Sequence, residues 1–208
     1  CSLAPMLISD SHRMLFVHVQ KTGGVSVDRM LRAQIDDIRI VGPRHSTLGR
    51  ILTTEPDLQD YWTFGFVRNP WARMVSWWSM IQNLGKSYER KTARGVEPRV
   101  VNRFLLSTAG YQDFEEFILR GMEEHRRLRR PQIDYLTAGD RRADFIGRTE
   151  SFAADLRAVQ ERLGLPLLEP DQHNRSKHAT YPTFYTDTTR DKVAAAFAPD
   201  IEAFGYEF

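Results

Sequence analysis

Apolar and polar positions follow two periods along this chain. Residues 14–19 are a short apolar run with β-branched and aromatic members, the pattern of a buried strand. Residues 20–24 break that run. Beyond them Val27, Met30 and Leu31 recur at helical spacing and predict a helix from Ser26 to about Gln34. Residues 38–41 are a second, weaker β-like run ended by Gly42-Pro43, and Ser46 suits the N-cap of a short helix reaching about Leu52. Residues 61–67, YWTFGFV, are strongly β-like. Asn69 and Pro70 then suit the cap and first turn of a helix striped by Trp71, Val75 and Trp78. Residues 83–110 hold no sustained period and read as an irregular basic loop on the acceptor side of a site. Helical spacing returns over residues 113–127, with Phe114, Phe117, Ile118 and Met122 inward. Residues 143–147 are a third β-like run. Residues 151–163 predict a helix stopped by Gly164, and residues 186–198 a last helix ended by Pro199. Residues 1–13 read as a surface lead-in and residues 131–136 as a connector.

Strand and helix thus alternate, which predicts an α/β protein with a central parallel sheet flanked by helices. In such sheets ligands bind beyond the carboxyl ends of the strands. The 208 residues, with no repeat or boundary signal, suit a single domain over 1–208. The net charge of +2 gives no argument for nucleic acid, and no apolar run approaches membrane-span length. The lone Cys1 excludes an internal disulfide and favours a reducing, cytoplasmic setting. Because the chain opens on Cys1 rather than Met, an upstream anchor stays open. The six histidines form no H-x-x-x-H or H-E-x-x-H pattern, so no metal is expected.

Two stretches carry chemistry. The first strand runs into Lys21-Thr22-Gly23-Gly24 and then a helix. A loop of this kind aims backbone N–H groups and a helix dipole at one point, and glycines let a phosphate come close. Lys21, Thr22 and Ser26 add a cation and two hydroxyls. The lysine precedes the glycines, unlike G-x-x-x-x-G-K-[ST], so an ordinary β-to-α turn remains an alternative. The second stretch is RNPWARMVSWW, residues 68–78, with Arg68 at a strand end and Arg73 and Ser76 on one helix face. These can meet an anion, or Arg68 can be a structural ion pair and Ser76 a satisfied helix hydroxyl.

Taken together, FVHVQKTGGVS and FVRNPWARMVSWW resemble the 5′-phosphosulfate loop and the 3′-phosphate motif of sulfotransferases that use 3′-phosphoadenosine 5′-phosphosulfate. The branch resembled is the carbohydrate (Golgi-type) sulfotransferases and their small bacterial relatives, and FIGRTESFAADL, HNRS and FGYEF fit it too. The resemblance implies a P-loop-like three-layer fold. It implies that Lys21, Thr22, Gly23, Gly24, Val25 and Ser26 hold the 5′-phosphosulfate, and that Arg68 and Ser76 hold the 3′-phosphate, with Arg73 in support. Lys21 and His45 would be catalytic, His45 as the base. Arg148, Asn174 and Ser176 are weaker candidates. The implied reaction is in-line transfer of a sulfuryl group to a hydroxyl of a carbohydrate or small molecule, with no metal. The basic residues between Lys86 and Arg103 suggest an anionic glycan as acceptor. The expected source is bacterial. The alternatives are a non-catalytic binder of the bisphosphorylated nucleotide and an atypical P-loop kinase.

Overall fold

The computed structural model describes residues 6–43, 46–92, 94, 103–108, 110–168 and 181–208. Strands β1 (Leu7–Ser9) and β2 (Met14–Val17) form a hairpin closed by a turn in which the Arg13 N–H donates to the Asp10 carbonyl. Helix α1 is Gly24–Gln34, β3 is Arg39–Ile40 and α2 is Leu48–Thr54. Strand β4 (Trp62–Val67) leads to α3 (Pro70–Thr92), followed by α4 (Arg103–Thr108). Phe114–Glu116, a π-helical turn Phe117–Gly121 and Met122–Glu124 run end to end as α5. Then come α6 (Ile133–Leu136), the two-stranded hairpin β5 (Thr137–Ala138) and β6 (Arg141–Arg142), and β7 (Phe145–Arg148). Helices α7 (Phe152–Arg162), α8 (Asp187–Ala196) and α9 (Ala198–Phe204) complete the chain.

The chain divides into two compact units, Cys1–Asn69 with Pro131–Arg175, and Pro70–Arg130 with Ser176–Phe208. The first is built on a five-stranded sheet in the order β3-β1-β2-β4-β7. Strands β2, β4 and β7 are parallel, whereas β1 pairs antiparallel with both β2 and β3. The centre of the sheet is parallel, as the sequence suggested, and the β1 and β3 side is antiparallel. The run at residues 38–41 is an antiparallel edge strand, and the lead-in contains a fully buried strand, β1. Side chains alternate across the pleat. Phe16, Phe64 and Phe66 face Val27, Leu31, Leu156 and Val159 of α1 and α7. Gly65 points to the other face, where a Cβ would come within 2.5 Å of Leu136 in α6. Helices on both faces make three layers.

The second unit gathers α3, α5, α8 and α9 around a separate core that includes Trp71, Val75, Trp77, Phe117, Ile118, Val193 and Phe197. Helix α3 continues to Thr92, well into the stretch read as irregular. Its exposed part needs no apolar period, because i,i+4 polar spacing and helix propensity suffice on a solvent face. Pro199 does not merely end a helix: it occupies the first turn of α9, where its missing N–H costs nothing. Thr47, not Ser46, caps α2, accepting from the Arg50 N–H at 3.3 Å.

Candidate active site

The loop between β2 and α1 turns through two left-handed residues, Lys21 at φ 68° and Gly23 at φ 83°. Gly23 adopts that region freely, but Lys21 stores backbone strain of about 1–3 kcal/mol, a cost concentrated at functional positions. The loop is braced from within. The Thr22 hydroxyl, almost wholly buried, donates to the Val19 carbonyl at 2.8 Å. The Gly23 carbonyl accepts from Ser26 N–H at 2.9 Å and Val27 N–H at 3.3 Å. The N–H groups of Gly24 and Val25 begin the helix and have no intrahelical acceptor. Lys21, Val25 and Ser26 are half-buried and Gly23 is exposed.

Packing allows no side chain at either glycine. A Cβ on Gly24 would lie 1.9 Å from Cδ2 of His18, and one on Gly23 would lie 2.7 Å from the Phe152 ring of α7. His18 is thus an interior residue beneath the loop, 4% exposed and tilted against Phe16. Residues 20–26 offer a cation, hydroxyls and helix N-terminal N–H groups but no carboxylate. That donor set fits an anion.

Register brings the next strand ends to the same edge. Val17 lies opposite Gly65, and Val67 lies opposite Arg148. The loop and Arg68 therefore follow the carboxyl ends of β2 and β4, and Arg148 is the last residue of the adjacent parallel strand β7. Val67 and Asn69 bond toward β7: the Val67 carbonyl accepts from Thr149 N–H at 2.9 Å, and Asn69 N–H donates to Glu150 Oε1 at 2.7 Å. Arg68 bonds the opposite way. Its N–H donates to Gln132 Oε1 at 2.9 Å, and its carbonyl accepts from Gln132 Nε2 at 2.8 Å. The carboxylate of Asp155, in the first turn of α7, accepts from Arg148 N–H and the Ser151 hydroxyl, both at 2.6 Å.

Residues 4–207 match the model of the sulfotransferase family. The chain belongs to the sulfotransferase family. No curated protein matches it.

In this sulfotransferase the residues picked out from the sequence fall into three groups. Lys21, Thr22, Gly23, Gly24, Val25, Ser26, Arg68 and Arg148 sit at the carboxyl edge of the sheet in the first unit. Arg73 and Ser76 lie on α3 in the second unit. Arg73 is fully buried there, its guanidinium 5.6 Å from the centre of the Phe197 ring, while Ser76 is half-buried. His45, Asn174 and Ser176 lie outside the described residues. The sequence reading passed over Gln132, inside the segment taken as a connector. Nothing in the sequence marks it, since its burial, at 0% exposed, is known only from the fold. Among the described residues no cluster of His, Cys, Asp and Glu could hold a metal ion, and no helix is long and apolar enough to cross a membrane.

Proposed function

We propose that this sulfotransferase uses 3′-phosphoadenosine 5′-phosphosulfate and delivers its sulfuryl group to a hydroxyl of a carbohydrate or small-molecule acceptor. The reading is carried by the β2–α1 loop, whose strained Lys21 and glycine-led helix start stand at the same sheet edge as Arg68. When bound, the nucleotide would supply an activated sulfuryl group, with negative charge left on the departing phosphate. Lys21 and the N–H groups of Gly24 and Val25 hold the 5′ end and stand ready for that charge. Fixed donors of this kind need no reorganisation during reaction. Arg68 holds the 3′-phosphate as a charge-assisted donor. His45 takes the proton of the acceptor hydroxyl. A histidine titrating near neutrality suits that task, and His45→Ala lowers turnover by about 10²–10⁴-fold while nucleotide affinity stays.

An anionic glycan acceptor is supported by Lys86 and Arg90, exposed four residues apart on α3, with Arg94 exposed four residues beyond. Neutralising Arg90 and Arg94 then raises acceptor KM and leaves nucleotide binding alone.

The deciding experiment titrates 3′-phosphoadenosine 5′-phosphate and ATP calorimetrically into wild type and Arg68→Ala, beside a sulfuryl-transfer assay with a panel of glycans. Binding of the bisphosphate in preference to ATP, lost in the variant, supports the reading. Preference for ATP overturns it.

A further inference from the structure

Strand β4 lies between β2 and β7, and its backbone groups bond alternately to the two neighbours. Those of Thr63, Val67 and Asn69 are turned toward β7 and its flanking residues. Arg68 is turned toward the β2 side. There the ladder has already ended: β2 pairs only as far as Val17 opposite Gly65, and the chain then leaves the sheet to make the phosphate-binding loop. The N–H and carbonyl of Arg68 would lack strand partners at the position from which the side chain must be aimed. A backbone pair left so and shielded from water costs free energy comparable to lost hydrogen bonds, and the pair at Arg68 is part-buried.

The side chain of Gln132 takes the place of the missing strand residue. Its amide gives one acceptor and one donor to a single residue, at 2.9 and 2.8 Å, across 64 residues of sequence. A primary amide offers both polarities from one planar group. The amide is held in turn. Gln132 is 0% exposed, and one helical turn on, Leu136 seats against Gly65, where a Cβ would come within 2.5 Å. The Leu136 carbonyl also accepts from Ala143 N–H at 2.8 Å.

We infer that Gln132 is a positioning residue for Arg68: its amide continues the β2 side of the sheet for one residue and fixes the direction in which the Arg68 guanidinium leaves the strand. The inference rests on Arg68 being the ligand of the 3′-phosphate. It adds that this selectivity is set by a side chain that does not touch the nucleotide. A displacement of about 1 Å at such a site is worth on the order of 100-fold.

The test compares 3′-phosphoadenosine 5′-phosphate with adenosine 5′-phosphate, which lacks the 3′ group, on the full chain. The variants are Arg68→Ala, Gln132→Ala, the isosteric Gln132→Glu, the double variant Arg68→Ala/Gln132→Ala, and Gln160→Ala as control. Gln160 is a second buried glutamine, its amide donating to the Pro166 carbonyl at 3.0 Å, so its loss destabilises without touching Arg68. Each is read below its own melting transition. The expected result is that wild type prefers the bisphosphate, that Gln132→Ala and Gln132→Glu lose about 10- to 100-fold of that preference while affinity for the monophosphate stays, and that the double variant loses no more than Arg68→Ala. Gln160→Ala keeps the preference. Should Gln132→Ala fail to fold, Gln132→Glu carries the test. A folded Gln132 variant with the wild-type preference overturns this inference alone. So does one that weakens both nucleotides equally. A wild type without any preference overturns the reading of Arg68, and this inference falls with it.

Discussion

Replacing Gly24 with alanine sets helix propensity against packing. Gly24 opens α1 with an ordinary backbone angle, so conformational freedom is not why glycine stands there. Propensity alone favours alanine by up to about 1 kcal/mol. The new methyl, however, would sit 1.9 Å from Cδ2 and 2.3 Å from Nε2 of His18. Carbon atoms rest about 3.5–4.0 Å apart, so ring and helix must separate by about 1.6 Å or more. His18 is 4% exposed and leans on Phe16, so its ring has no open space to enter. Overpacking of this kind costs about 1–3 kcal/mol, and a shift this large belongs at the upper end. Net of propensity, the loss is about 2 kcal/mol, or a fall in Tm of about 4–8 °C for a chain of this size. Urea and thermal melts followed by circular dichroism read it directly. The same substitution in a His18→Ala background meets no ring and is neutral to mildly stabilising, giving a coupling of about 2–3 kcal/mol across the cycle. A Gly24→Ala protein at least as stable as wild type, or an equal loss in both backgrounds, would refute the packing argument.

Three more outcomes follow from the surface and from the second unit. Asp37 accepts from the Ser9 hydroxyl at 2.6 Å and the Ser11 N–H at 2.8 Å, which hold its carboxyl down at about 2, below the ordinary 3.8. A depressed folded value means that its contribution is complete above about 3.8 and is lost as pH falls toward about 2, so the stability gap between wild type and Asp37→Ala narrows across that window in urea titrations. Burial and the Glu124 carboxylate raise the Tyr111 hydroxyl to about 12, so its contribution is complete below about 10 and fades as pH climbs through about 12; Tyr111→Phe flattens that alkaline loss in thermal melts. Thr186 caps α8 in a reciprocal box with Thr189, so Thr186→Ala costs about 1 kcal/mol and lowers the urea midpoint.

The local structure of the candidate site was legible in the sequence, because each piece depends on a few neighbouring residues. The loop of Lys21 to Ser26 needs only a strand, two glycines and a helix start in succession, and Arg68 needs only a strand end before Asn69-Pro70. The stop at Gly164 with φ 66° and the stripe of α7 are likewise settled within a turn or two of chain. Strand β1 was not legible. Three residues flanked by Ser, Asp and His carry too little period, and they form a strand only because β2 and β3 stand on either side. The far part of α3 was hidden for the opposite reason, since a solvent-facing helix shows no apolar stripe.

What the sequence determined by itself, then, was the alternation of strand and helix, the cationic glycine loop and the arginine beyond the next strand, all consequences of neighbours in the chain. Tertiary structure decided the rest. It reversed β1 and β3 against the parallel core and placed the His18 ring against Gly24. Above all, it brought Gln132 to the backbone of Arg68 across 64 residues. The physical reason is the same in each case. A backbone group or a small residue buried at the end of a strand takes whatever partner the fold delivers, and nothing near it in the chain names that partner.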